Sequence, residues 1–152
     1  MTELIQRSTG YRLFKTETAP LANPKDLVKT QGEIEAAACL AIGRHQQDYM
    51  GRGPKHIRAH LIGDILLVRL QGVLTPSEQH LAELLPDTKG RSLLKRVRTQ
   101  LIETARPALE AMIYEATGVQ VLSVHHDIST VTGEEIMLFT LTESPIFRVL
   151  KK

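Results

Sequence analysis

The chain has 152 residues, of which 42% are hydrophobic and 24% are charged. This length is typical of one globular domain with enough apolar side chains to form a core. Its formal net charge of +2 at pH 7 is too small to indicate a dedicated nucleic-acid binder. The single cysteine, Cys39, excludes an intramolecular disulfide framework and a zinc site built from cysteines.

The N-terminal region shows no targeting or membrane-spanning pattern. The longest apolar run, Ala36 to Ile42, is far shorter than the roughly 20 residues of a membrane helix, and no basic-then-apolar signal layout precedes it. We therefore expect a soluble cytoplasmic protein without direct membrane insertion. Residues 1–29 carry Pro20 and Pro24 without sustained periodicity, which predicts an N-terminal arm, flexible or loosely docked, before a single domain over residues 30–152.

A first helix is predicted to begin at Thr30, which forms a capping-box pattern with Glu33. Apolar and small residues then recur at spacings of three and four, as on one face of a helix. The helix is predicted to end at Gly51, because glycine favours a left-handed cap and Pro54 cannot continue a helix.

A hairpin is predicted next, with residues 56–62 and 65–71 flanking the two-residue loop Gly63-Asp64. A loop of this length pairs Ile62 with Ile65. That register places three apolar pairs on one face, while the other, wetter face pairs Arg58 with Arg69. Two arginines opposite each other destabilise a sheet unless something neutralises them.

Two further helices are predicted. The first begins at Thr75-Pro76 and ends before Pro86; the second runs from about Arg91 to Ala116. Pro107 lies inside the second helix, where we expect a kink or a break because its ring clashes with the preceding turn.

A second hairpin is predicted over residues 119–126 and 135–142, with Gly133 as the left-handed residue of its connection. In both strands the side chains of both faces are largely apolar, which indicates central strands or strands whose second face is covered by another chain. The predicted fold class is α+β: two helix–hairpin units give an antiparallel sheet of about four strands with helices packed on one face.

No catalytic pattern is present: the sequence contains neither GxSxG, a Walker-type phosphate loop, GxGxxG nor HExxH. His125 and His126 are adjacent on a predicted strand and point to opposite faces, so a regular strand cannot present both to one metal ion. We therefore expect a protein that is not an enzyme and holds no metal or cofactor.

Basic residues are concentrated in one stretch, with six lysines and arginines against two acidic residues between Asp87 and Arg106. This stretch is either a solvated helix face or a surface that attracts an anionic partner. Base stacking is disfavoured by the small number of aromatic residues, six in all. The candidate ligand- or partner-binding residues are Arg52, Lys55, Arg58, Arg69, Arg91 and Arg96.

The order of several short motifs resembles a known bacterial family. These motifs are Tyr49-x-Gly51-Arg52-Gly53-Pro54, Asp64-Ile65-Leu66-Leu67-Val68, Gly72-x-Leu74-Thr75-Pro76-x-Glu78 and Thr117-Gly118. Together they resemble the MpsC-like family, a small domain labelled as a component of a sodium-translocating, membrane-potential-generating system. The resemblance covers residues 34–141. It implies a soluble accessory protein near membrane proteins of ion transport or inorganic-carbon uptake, and it carries over no catalytic residues.

Two functions remain open from the sequence. The first is a non-enzymatic accessory or regulatory protein that binds another protein, such as a membrane transporter subunit, and that forms a homodimer. The alternative is an anion- or nucleotide-binding regulatory domain that uses the basic residues named above. Nucleic acid is not an expected partner in either case.

Overall fold

The computed structural model describes residues 28–84 and 89–151. Their elements are, in chain order, α1 (Gln31–Tyr49), β1 (His56–Ile62), β2 (Ile65–Gln71), α2 (Pro76–Leu84), α3 (Lys89–Thr117), β3 (Val121–Ile128) and β4 (Glu135–Leu141). The four strands form one antiparallel sheet in the order β1-β2-β4-β3. The predicted α+β class is confirmed. The predicted arm lies almost wholly outside the described residues.

The first helix–hairpin unit follows the sequence prediction closely. The Thr30 side chain accepts a hydrogen bond from the Glu33 amide, and the Glu33 carboxylate accepts one from the Thr30 amide, so the capping box is present. Gly63 has φ +61° at the start of the hairpin loop. The predicted β1–β2 register, Ile62 with Ile65 and Arg58 with Arg69 included, is confirmed. Turn chemistry and apolar alternation agree here, and together they determine the pairing.

Helix α3 is continuous from Lys89 to Thr117 with Pro107 inside it, so of the two expected outcomes, a kink or a break, the break does not occur. Proline removes one backbone hydrogen bond, but the helix buries Ala105 just before Pro107 and Leu109 and Ile113 just after it. Packing on both sides of the proline keeps one helix where local propensity alone predicts an interruption.

The second hairpin places β4 in the middle of the sheet and β3 at its edge. The strands begin and end within two residues of the predicted positions, and Gly133 adopts the predicted left-handed conformation with φ +74°. A β-bulge interrupts β3 between Val121 and Ser123. Because β2 and β4, the second strands of the two hairpins, lie side by side and antiparallel, the two helix–hairpin units meet at the centre of the sheet.

The two faces of the sheet differ in their environment. On the inner face, α1 contacts β1 and α3 contacts β3, and the side chains below them are buried. The largest are Leu66, Leu70, Met137 and Phe139. The outer face carries no described helix. Within the described residues, no helix is long and apolar enough to cross a membrane.

Candidate functional site

The inner face of the sheet contains a buried cluster of charged groups centred on Arg98 of α3. Its side chain has no exposed surface. Nη1 donates to Glu135 Oε2 at 2.7 Å, while Nη2 donates to Glu78 Oε2 at 2.9 Å and to the Val73 carbonyl at 3.1 Å. One guanidinium therefore links the start of β4, the first turn of α2 and the segment that follows β2.

Glu135 is the second centre of this cluster and is also fully buried. Its other oxygen, Oε1, accepts a hydrogen bond from Gln46 Nε2 at 3.1 Å and lies 3.2 Å from His126 Nε2. Burying a carboxylate is costly unless it is paired and hydrogen-bonded. The neighbours of Glu135 meet that requirement, so the cluster joins α1, α3 and both strands of the second hairpin.

The sequence carried a signal for this cluster that its motifs did not reveal. Arg98 follows buried Leu94 by four residues and precedes buried Ile102 by four, so a cation stands in the apolar stripe of α3. Glu135 likewise stands first in the buried alternation of β4. When a cation and an anion each occupy a position that the apolar periodicity marks as buried, they indicate a buried ion pair.

Two titratable side chains beside the core have pKa values shifted by burial. Burial lowers the pKa of His45, although the charges of Glu135 and Asp48 oppose this shift, and its ring stacks on Tyr49 with centroids 5.0 Å apart. Burial is also the largest cause that raises the pKa of the Cys39 thiol. A thiol with a raised pKa is a poor nucleophile at neutral pH, so Cys39 acts as a small packing residue.

The outer face of the sheet, which we call the open face, has an apolar centre. Leu67 of β2 faces Leu138 of β4 across their shared ladder, and Ile65 and Ile136 lie on the same face in the neighbouring rows. All four are only half-buried. Beyond them, Ile62 at the end of β1 is 62% exposed.

Charged and polar side chains surround this apolar centre. Arg69 Nη2 lies 2.7 Å from Glu134 Oε2. On the other side, Lys95 Nζ lies 3.0 Å from Asp127 Oδ1, and this hydrogen bond is the main cause that lowers the pKa of Asp127. Arg58 has no carboxylate partner among the described residues. The open face thus combines an apolar centre with charges of both signs.

The structure brings together only part of the predicted binding set. Arg58 and Arg69 are adjacent, as their register predicts, and with His56 they line a depression of about 410 Å³. Lys55 directly precedes β1, and its amide donates to the Gln71 carbonyl.

The other three predicted arginines lie apart. Arg52 donates to the Leu74 carbonyl at 3.2 Å. Arg91 lines a depression with Thr130 near the β3–β4 connection, and Arg96 lines a groove along the first half of α3. The six residues therefore do not form one site, and within 28–84 and 89–151 no group of three or more His, Cys, Asp or Glu could hold a metal ion.

Comparison with known proteins identifies the family. The profile of the family described as "Na+-translocating membrane potential-generating system (MpsC)" matches residues 30–143. The chain belongs to the MpsC family. It is also similar to "Uncharacterized protein YbcI" of Bacillus subtilis (strain 168), with 34% identity over 113 residues, which cover 74% of this chain and 89% of that protein. No solved structure matches the chain.

The family match covers both helix–hairpin units and confirms the resemblance drawn from the motifs. It includes the whole of the buried Arg98–Glu135 cluster and all four strands of the open face. The name of this relative assigns it no activity, and the two faces of the sheet supply the physical basis for a function.

Proposed function

We propose that this MpsC-family chain is a non-enzymatic accessory protein that acts through protein binding, and that two copies associate through the open face. The family description, a sodium-translocating system that generates a membrane potential, supports a role beside such a system. The open face supplies the physical support for association.

The observation that carries the proposal is the apolar centre of the open face. Leu67 and Leu138 lie opposite each other on the two middle strands, and removing their exposed apolar surface from water is favourable in proportion to the area buried. An apolar patch bordered by polar groups is typical of a protein-binding surface. Two antiparallel sheets pack face to face at about 10 Å, with side chains of both inner faces interdigitating.

The chemistry of the charged residues supports a non-enzymatic role. Arg98 and Glu135, both fully buried, are hydrogen-bonded to each other and to Glu78 and Gln46. Groups in this position hold elements together and have no access to a substrate. The half-buried thiol of Cys39 has a pKa raised mainly by burial, which disfavours nucleophilic catalysis.

The oligomeric state tests the association. Light scattering coupled to gel filtration, at tens of micromolar, should give twice the mass of one chain. Leu138→Lys puts a charge at the centre of the open face and should give a monomer, whereas Leu40→Lys, at a 57% exposed position on α1, should stay dimeric. A monomeric wild-type protein would overturn the proposed association.

The accessory role has a cellular test. Deletion of the gene in the source cells should lower the sodium-dependent part of the membrane potential, measured with a potential-sensitive dye in sodium and potassium media. Wild-type protein should restore it, and Leu138→Lys should not. An unchanged sodium-dependent potential after deletion would contradict the proposed role.

A second candidate function, binding of a small anion, has one specific observation in its favour. Arg58 lacks a carboxylate partner among the described residues and borders the depression shared with Arg69 and His56. Guanidinium groups bind phosphate oxygens in bidentate geometry. Isothermal titration with inorganic phosphate and pyrophosphate tests this function: binding that Arg58→Gln abolishes and Arg44→Gln preserves would support it, and absence of binding would exclude it.

A further inference from the structure

The open face is arranged in rows that run across all four strands. One row contains Arg58, Arg69, Ile136 and Asp127, because these residues are paired in turn across the three ladders. The row is therefore basic on β1 and β2, apolar on β4 and acidic at the β3 edge.

The next row on the open face is symmetric in its composition. It contains His60, Leu67, Leu138 and His125, again paired strand by strand. Its two leucines lie at the centre and its two histidines at the edges. Turned end for end, the first row lays basic Arg58 over acidic Asp127 at its ends and Arg69 over Ile136 in its middle, where Arg69 keeps Glu134 of its own copy as partner. The second row, turned in the same way, lays leucine over leucine.

Two symmetric ways of packing this face on a second copy can be compared. A two-fold axis parallel to the strands lays β1 of one copy over β3 of the other and keeps each row against itself. Arg58 then lies over Asp127 of the second copy, and Leu67 lies over its Leu138. In an isologous interface each such contact occurs twice.

An axis perpendicular to the strands but still in the plane of the interface gives a different match. It lays β1 over β1 and exchanges the charged row with the row of Ile62, Ile65, Thr140 and Ser123. Arg58 would then lie over Ile62 without a carboxylate, while Asp127 would lie over Ser123 and keep only its own Lys95. A charge buried without a partner is strongly destabilising, so this packing is disfavoured.

Resting on the proposed self-association, we propose that two copies pack open face to open face about a two-fold axis parallel to the strands, with Arg58 of each copy paired to Asp127 of the other. Arg58 has no carboxylate partner in the described part of a single copy, whereas the Asp127 side chain is 75% exposed and remains accessible beside Lys95. The pairing also offsets the repulsion between Arg58 and Arg69 of one copy, since the other copy supplies a carboxylate beside them.

A charge exchange between the two positions tests this geometry. Sedimentation equilibrium should show that Arg58→Glu and Asp127→Arg each raise the dimer dissociation constant by about tenfold or more, because close charge pairs across an interface are coupled. The double variant, Arg58→Glu with Asp127→Arg, should return the constant to within about threefold of wild type, since the pair is restored in reverse.

The control is Arg44→Glu, the same charge change at an exposed position of α1, which should leave the dimer unchanged. Arg58→Glu places a carboxylate opposite Arg69 within its own sheet, which favours folding, so loss of dimer will not reflect loss of structure; circular dichroism checks this.

The outcomes separate this geometry from the proposed function. A dimer that Leu138→Lys disrupts but Arg58→Glu leaves intact, or that the double variant fails to restore, overturns the pairing while the open face stands as the interface. A wild-type monomer overturns both.

Discussion

Both faces of the sheet carry ion pairs, but in opposite environments. Under the helices, Arg98 and Glu135 are fully buried and 2.7 Å apart. On the open face, Arg69 and Glu134 are also 2.7 Å apart, but the Arg69 side chain is 50% exposed. The same distance has different energetic consequences. Solvent screens the attraction between Arg69 and Glu134, whereas Arg98 and Glu135 are shielded from solvent and must satisfy each other's charge. The inner charges belong to the fold, and the outer charges are available for recognition.

Removing Arg98 should have the largest effect on stability. Arg98→Met leaves Glu135 buried without its cation and should lower the free energy of unfolding by about 3–5 kcal/mol, measured by urea denaturation. The double change Arg98→Met with Glu135→Leu should recover much of the loss, because replacing both members of a buried pair by apolar groups is often nearly neutral. A loss below about 1 kcal/mol for Arg98→Met would show that the pair is not buried as described.

Glu78→Gln should have an intermediate effect. Glu78 accepts hydrogen bonds from both Arg98 and the Thr75 amide, and glutamine retains an acceptor while losing the charge. We expect a loss of about 1–2 kcal/mol, also from urea denaturation. Glu83→Gln, on an exposed position of the same helix, is the matched control and should change little.

Arg69→Met should have a small effect on the stability of one copy. Exposed ion pairs contribute about 0–1 kcal/mol, and removing Arg69 also relieves its opposition to Arg58. The change in the free energy of unfolding is measured by urea denaturation in the Leu138→Lys variant, which we expect to be monomeric, so that association does not contribute to it. An effect as large as that of Arg98→Met would contradict the proposed distinction between the two faces.

The smallest effect concerns pH. Burial lowers the pKa of His45 in the folded state, so the unfolded chain binds a proton more readily. The free energy of unfolding therefore falls as the pH drops through the ordinary pKa range of histidine, and His45 causes no such loss above that range. His45→Phe should reduce the loss of unfolding free energy between about pH 7 and about pH 5, whereas exposed His80→Phe should not.

Much of the fold could be predicted from local rules. The register of β1 and β2 was predictable because a two-residue loop and an apolar alternation agree on it, and α1 was predictable from the Thr30–Glu33 capping box. The continuity of α3 through Pro107 was not. It depends on side chains that pack against distant elements, which no local rule contains.

The candidate surfaces were predictable only in part. Arg58 and Arg69 were placed together because the register fixes them, while Arg52, Arg91 and Arg96 lie apart because helix directions are set in three dimensions. The apolar second hairpin predicted central strands or strands covered by another chain, and the position in the sheet is central for β4 but not for β3, which lies at the edge. The Arg98–Glu135 pair joins residues 37 positions apart, and only the folded arrangement of helix and sheet brings them into contact.

The double role of Glu78 has a kinetic consequence. Helix α2 has nine residues, and a helix so short would normally fray on its own. Its first turn, however, is attached through Glu78 to the Arg98 guanidinium, which cannot leave the core without leaving Glu135 buried and unpaired. The hydrogen-bonded amide protons of Glu78 and Gln79 should therefore exchange with solvent only when the whole core opens, and α2 becomes part of the cooperative unit of the domain.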